Sequence, residues 1–502
     1  MNIFVILLIA FTVVVALGTF FYGIKKKGRR IYITSLYVLG VIYAIATGLY
    51  YADSVPDASP DESAHIAYVY YLDKTGEIIP TFEDMHIFSN AVMKWSTEPN
   101  YEYQESLVNY LCHPPLYYHI MRLAGGFTPT DSDVVVTIDK PRLRHFSLGI
   151  YTLGLILLLY IGWSRLSKTK PWQHLLFISV AVNIPMMGFE FCAVTNDALV
   201  LLTSCTCILG LIRFCEEKRN FWTYLLIALG ISGSLLTKLT AAMLCIVMAL
   251  VVLIVTMIKE RSIVKSLSLK FVYTIPIYVI ALSYYVIMYN RYGAITPSLE
   301  LICSKEYFEN TIYYVAENER TIMTWGEYIG YFFNRFFLSW SGIESVYRFM
   351  KTYTYSLTAI PYEILWVLPV LFVIPRVRKQ AGKLSLPIIA GYVGIVVTFI
   401  YQLKSAYGSY LTRGYMGGFA SRYYIPFIGI FALAVVFILD SILIDNGFNA
   451  ETEETVIKTS IGTFTKNLLF NQLVYVISLA FSFLMFYGNL PFFVIHFGEM
   501  LQ

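Results

Sequence analysis

The chain has 502 residues, of which 57% are hydrophobic and only 14% charged, with a mean hydropathy of +0.62. A soluble protein carries about 25% charged residues, so this composition cannot cover a water-facing surface and excludes a string of soluble domains. A formal net charge of +4, scattered along the chain, gives no basic patch and excludes a nucleic-acid partner. Seven cysteines, mostly inside apolar runs, form no disulfide framework. The class that remains is an all-α polytopic membrane protein.

A helix needs about 20 apolar residues to cross the hydrocarbon core. Twelve runs approach that length, near 3–22, 31–51, 145–163, 172–189, 194–213, 221–237, 239–258, 271–289, 357–375, 384–403, 423–441 and 467–487. The positive charges of the first run follow its apolar stretch, which is the wrong order for a cleaved signal peptide. Lys25, Lys26, Lys27, Arg29 and Arg30 place the first connection in the cytoplasm. Carried along the chain, that choice puts 21 of the 37 Lys and Arg on the cytoplasmic side, in short segments such as 164–171, 259–270 and 376–383, with Arg213 at a span's end.

Two long segments, 52–144 and 290–356, then stand outside. Both are rich in Tyr and Phe, which suits interfacial helices. The stretch 106–127 reads as an interfacial or re-entrant helix. The resulting division is a membrane domain over 1–441 that includes both outer loops, a solvated cytoplasmic loop over 442–466, and a last helix and tail over 467–502.

Charges at a membrane are costly, so each one there is a functional candidate. Residues 172–213 lie between two basic segments and must form a hairpin, whose outer tip carries Glu190, Thr195, Asn196 and Asp197. The run 221–258 is too long for one span and must also turn, which places Lys238 near the outer face. The first outer loop opens with Pro60-Asp61-Glu62-Ser63-Ala64-His65, and a helix begun at Pro60 sets Asp61 and His65 on one face. Five of the seven histidines, at 65, 86, 113, 119 and 145, lie in or beside this loop. Acids, cations and histidines therefore gather on one membrane face.

These residues fall into a familiar order. Pro-Asp-Glu-x-x-His (60–65) and His-Pro-Pro-Leu-Tyr-Tyr (113–118) are followed by Arg144, Thr195-Asn196-Asp197 and Leu236-Thr237-Lys238. Tyr292-Gly293 with Pro297, and Ala420-Ser421-Arg422-Tyr423-Tyr424-Ile425-Pro426, complete the set. Over roughly residues 50–430 the pattern resembles the GT-C superfamily of integral-membrane glycosyltransferases, in its protein-mannosyltransferase and aminoarabinose-transferase branch. It is most similar to bacterial members that carry the Pro-Asp-Glu-x-x-His motif. The oligosaccharyltransferase signature Trp-Trp-Asp-Tyr-Gly does not occur.

The resemblance implies a GT-C-like fold in a bacterial plasma membrane. It implies inverting transfer of a sugar from a polyprenyl-phosphate donor to a polar acceptor of the cell envelope, on the extracytoplasmic face. Asp61 then matches the general base, Glu62 its acidic neighbour and Asp197 the second-loop acid. His113 stands where aminoarabinose transferases often have a lysine that reaches the donor phosphate, and its charge depends on pH. Lys238, Arg291 and Arg422 are the further phosphate candidates, since lysine offers a point charge and arginine a bidentate fork. His65, Glu190 and Tyr117 complete the candidate substrate-binding set.

Several alternatives stay open at this point. Lys238 can snorkel to the interface, Asn196-Asp197 can cap a helix, and Arg144 at a helix end reads as an anchor. No cofactor is required, although Asp61 and His65 leave room for a divalent metal. A transporter or flippase for a lipid-linked saccharide would recognise the same lipid phosphate, but transporters place their charges near the bilayer midplane within repeated halves.

Overall fold

The computed structural model describes residues 29–54, 62–80, 110, 112–129, 136–182, 184–262, 267–302, 305–309, 311, 313–338, 340, 363–445, 456–459 and 462–465. The apolar runs near 3–22 and 467–487 lie outside the described residues, as does Asp61. Helix α1 spans Arg29–Ser54 and α2 Glu62–Thr75, followed by the short α3 at Leu116–Met121. Then come α4 at Lys140–Arg165, α5 at Pro171–Val182, α6 at Pro185–Cys192, α7 at Asp197–Cys215, α8 at Phe221–Leu235, α9 at Leu239–Glu260 and α10 at Ile275–Tyr292. After the second outer loop, which contains α11 at Trp325–Leu338, the chain forms α12 at Glu363–Val367, α13 at Pro375–Ala381, α14 at Ser385–Arg413 and α15 at Ile428–Asp445.

Among the described residues, seven helices are long and apolar enough to cross a membrane, and three shorter apolar helices accompany them. Local chemistry sets their ends. Asp139 accepts the Arg142 N–H ahead of α4, which has proline in its first turn, and Asn220 caps α8 by accepting from Thr223 N–H. Gly293 closes α10 at φ 69°, a left-handed position that glycine adopts without steric cost.

The structure revises one of the expected spans and adds detail to three other segments. The run 172–189 is broken, because Ile184 is extended ahead of Pro185 and the chain restarts there as α6. In the run 357–375 the described residues, 363–375, hold α12 and a 3-10 turn over Leu368–Val373, and 357–362 lie outside them. In the segment 442–466, expected as a solvated cytoplasmic loop, α15 continues to Asp445 and the described residues include an antiparallel hairpin, Val456–Thr459 with Gly462–Thr465. Helix α3, in the stretch expected to be interfacial or re-entrant, buries Tyr117, Tyr118 and Met121 against the protein and leaves Leu116, His119 and Ile120 partly exposed. In the second loop, α11 buries Tyr328, Phe332 and Phe336 at i, i+4 and i+8 while Phe333 stays outside, the amphipathic pattern expected of an interfacial helix.

Small residues let the bundle close. A Cβ on Gly230 of α8 would stand 2.4 Å from Cys207 N of α7, and one on Gly154 of α4 would stand 2.7 Å from Leu202 N of α7. Helix α7 is thus gripped on two sides, as membrane helices that lack a solvent-driven force tend to be. The bundle has two chemically distinct ends. Arg165 pairs with Glu216, Arg219 with Glu260, Lys383 with Glu217, and Lys170 with the buried Asp440 at 2.8 Å. These contacts gather the C-termini of α4, α7 and α9 at one end, together with the basic segments read as cytoplasmic. The N-termini of α2, α7 and α9 and the C-terminus of α8 lie at the other.

Candidate functional site

At the end opposite the basic segments the helices surround a cavity of about 390 Å³. Its walls come from α2, the loop before α3, the N-terminus of α7, the α8–α9 turn, the chain after α10, and the segment before α15. Lys238 and Asp197 face each other across it, with Lys238 Nζ donating to Asp197 Oδ1 at 2.6 Å. Lys238 is only 16% exposed, so it does not snorkel outward.

The α8–α9 turn is held by three carbonyls in succession, each engaged by a different element. Leu235 O accepts from the Tyr285 hydroxyl at 2.6 Å, Leu236 O from Leu116 N–H at 3.0 Å, and Thr237 O from Asn196 Nδ2 at 3.2 Å. These are the carbonyls that a helix C-terminus leaves without an internal partner. Satisfying them fixes where Lys238 emerges. Asn196, read from sequence as a cap, makes no side-chain cap bond and serves this turn instead.

Arg422 is positioned by the same kind of backbone lock. Gln402 of α14 donates to Gly418 O at 2.7 Å and Ala420 O at 3.2 Å, and its own Oε1 accepts from Tyr424 at 2.7 Å. Trp340 Nε1 donates to Ser421 O at 2.7 Å. The guanidinium so placed donates to Glu190 Oε1 at 2.8 Å. Between the two cations stands Tyr423, with Lys238 Nζ 4.5 Å and Arg422 Cζ 5.7 Å from its ring centre. An aromatic face at that distance attracts cations and holds them near each other.

The opposite wall is aromatic and imidazole. The Tyr118 hydroxyl lies 2.8 Å from His65 Nδ1 and 3.3 Å from His113 Nδ1. It has one proton, so it donates to one ring and must accept from the other, and the two neutral rings hold opposite tautomers. Tyr110 stacks on His113 at 4.4 Å and packs on His65 at 4.8 Å, while the Tyr68 hydroxyl donates to His113 O at 3.0 Å. Burial pushes the His113 pKa down to about 4, with Lys238 lowering it further and Asp197 opposing. Burial also holds His65 well below the usual histidine range, helped by His113, Lys238 and Arg422. Both rings are therefore neutral at pH 7, and Lys238 and Arg422 carry the cavity's positive charge.

The sign of the resulting acid sensitivity follows from linkage. An unfolded histidine titrates near 6.5, so below that pH the unfolded chain binds protons that the folded His113 refuses. Stability is then level above about pH 6.5 and falls as the pH drops toward the folded value of about 4. Melting temperatures of the detergent-solubilised protein at pH 7.5 and 5 should show this loss, and His113→Gln should reduce it, His65 leaving a remainder. An equal loss in that variant would assign the sensitivity elsewhere.

Glu62 and Arg144 form a second layer behind the cavity. Arg144 Nε and Nη2 donate to the two Glu62 oxygens at 2.9 and 2.6 Å, Val194 N–H adds a third bond at 3.0 Å, and Arg144 Nη1 donates to Ala52 O at 3.1 Å. Both side chains are 4% exposed. Both Glu62 oxygens are thus engaged, and Arg144 is a buried partner and not an interfacial anchor.

The sequence candidates divide accordingly. Asp197, His65, His113, Lys238 and Arg422 line one cavity, and Glu190 touches it through Arg422. Tyr117 is not in the cavity lining, its hydroxyl lying 3.1 Å from Ser147 Oγ, while its neighbour Tyr118 makes the histidine contacts. Arg291 is exposed and donates to Pro80 O at 3.3 Å, apart from the cavity lining. Among the described residues no cluster of three or more His, Cys, Asp or Glu side chains is arranged to hold a metal ion. Sequence reasoning gives Tyr118 and Tyr423 only as members of motifs and does not mark Tyr110, since 41 tyrosines give no local cue to which of them meet in space.

Comparison with known proteins gives three results. Among solved structures the chain is similar to ArnT from Cupriavidus metallidurans bound to undecaprenyl phosphate, with a TM-score of 0.48 and 12% identity. It is also similar to the apo form of the same protein, with a TM-score of 0.45 and 12% identity, and each likeness covers 91% of this chain and 76% of that one. No curated protein matches. A family model described as a predicted membrane protein (DUF2142) matches residues 57–431, a stretch that contains the described cavity residues and the multi-pass helices around them. The chain is a multi-pass membrane protein and belongs to the DUF2142 family.

Proposed function

We propose that the protein transfers a sugar, with inversion, from a polyprenyl-phosphate donor to a polar glycan, lipid or protein acceptor of the cell envelope, on the extracytoplasmic face. The observation that carries this reading is the meeting of two largely buried cations, Lys238 paired with Asp197 and Arg422 paired with Glu190, at one cavity at a single end of the bundle. The extracytoplasmic assignment is supported by α1, whose Arg30 end follows the basic segment in sequence while its Ala52 end contacts Arg144 behind the cavity.

The chemistry needs few parts. The acceptor oxygen bonds to the anomeric carbon as the bond from that carbon to the phosphate oxygen breaks, and the electron pair leaves with the phosphate. The acceptor proton goes to a carboxylate base, for which Asp61 is the proposed group. The lipid phosphate departs with one more negative charge than it brought, which Lys238 and Arg422 stabilise. Asp197 faces the positive charge that builds at the anomeric carbon, as carboxylates do in glycoside hydrolysis. Charges at one end, and not at the midplane, favour this reading over a carrier of the same lipid.

The test uses purified protein and a panel of radiolabelled polyprenyl-phosphate sugars, with cell-envelope extract as acceptor. Conversion of one donor to free polyprenyl phosphate, slower in Asp61→Asn, is expected. Equilibration of an intact donor across vesicles with no covalent change would replace transfer by transport.

A further inference from the structure

Both cations of the cavity stand on carboxylates, Lys238 on Asp197 and Arg422 on Glu190. With His65 and His113 neutral and Glu62 balanced by Arg144, the described charges at the site sum to zero. An anionic phosphate entering such a site gains little unless the cations change partners. Their mounting allows it. Lys238 is a flexible point charge on an extended residue, φ −159°, and Tyr423 gives both cations a shared aromatic surface along which to move.

We propose that Asp197 and Glu190 are place-holders, which keep Lys238 and Arg422 inside the protein and surrender them to the phosphate of the lipid-linked substrate. Resting on the transferase reading, this exchange adds a coupling between binding and chemistry. While Lys238 neutralises Asp197, that carboxylate cannot stabilise a cation. Once Lys238 turns to the phosphate, the negative charge of Asp197 is uncovered beside the anomeric carbon. The ion pair separates in the same sense as the substrate's breaking bond, positive toward the leaving phosphate and negative toward the sugar. Glu190 has a positioning part, since it is not in the cavity lining and holds the Arg422 guanidinium at 2.8 Å.

The exchange predicts an effect that a fixed structural pair would not produce. With farnesyl phosphate in detergent micelles as the probe, Asp197→Asn should bind more tightly than the unaltered protein, on the order of tenfold, because Lys238 no longer has a competing anion. The gain should disappear in Asp197→Asn combined with Lys238→Met, compared with Lys238→Met alone. Turnover of the donor should nevertheless fall in Asp197→Asn. Glu190→Gln should show the same tighter binding through Arg422, and provides the reading if Asp197→Asn does not fold.

Weaker binding by Asp197→Asn and Glu190→Gln would mean that the carboxylates orient the cations for phosphate, and would overturn the exchange. Unchanged affinity in both would overturn it as well. Failure of the unaltered, folded protein to bind any polyprenyl phosphate is a different result, which counts against the transferase reading itself.

Discussion

Arg144→Met should lower the stability of the protein by about 3–5 kcal/mol, because it leaves the Glu62 carboxylate buried without its counter-charge. Glu62 would keep the Val194 N–H bond, but a single backbone donor cannot offset the desolvation of a full charge. The damage would extend past one contact. Arg144 joins α4 to the α2 N-terminus through Glu62 and to the end of α1 through Ala52 O, while Glu62 reaches the chain just before α7 through Val194. These are the elements that carry His65 and Asp197 into the cavity. A thermal melt in detergent reads the loss, and the double variant Glu62→Gln with Arg144→Met should recover part of it. If the double variant is as unstable as Arg144→Met alone, the cost comes from lost packing and not from the stranded charge.

The sequence exposed this architecture unevenly. Hydropathy and the basic segments were enough to turn the chain at 188–197 and at Lys238, since a run bounded by cytoplasmic charges at both ends must return. That argument brought Asp197 and Lys238 to one face, and the structure makes them an ion pair. Periodicity could not tell Tyr117 from Tyr118, because both lie on one short helix and only its packing against α2 decides which hydroxyl meets a histidine. The partner of Arg144 was equally hidden. Glu62 lies 82 residues away, and nothing local distinguishes a helix-end arginine that anchors at a headgroup from one that turns inward. Proline gave the clearest miss, as Pro185 divides one apolar run into two helices that hydropathy alone joins.

Lys238→Met should reduce donor turnover by about 10²–10³, the usual cost of removing one preorganised group aimed at developing charge. The departing phosphate gains a negative charge as the sugar bond breaks, so a cation near it favours the transition state over the bound donor and acts mainly on kcat. Lys238 is suited to that work because the Tyr285, Leu116 and Asn196 contacts fix its backbone while its side chain is only 16% exposed. In so dry a place each unit of charge counts for more than at a surface. Methionine keeps the length and packing of the side chain and removes only the charge. Arg291→Met is the matching control, since it deletes a cation that the structure sets apart from the cavity against Pro80 O, and its turnover should stay within about twofold. Initial rates with a single radiolabelled donor decide the matter. A large loss in Arg291→Met beside a small one in Lys238→Met would move the phosphate from the α8–α9 turn to the C-terminus of α10, and the cavity would then be the wrong place to look for the chemistry.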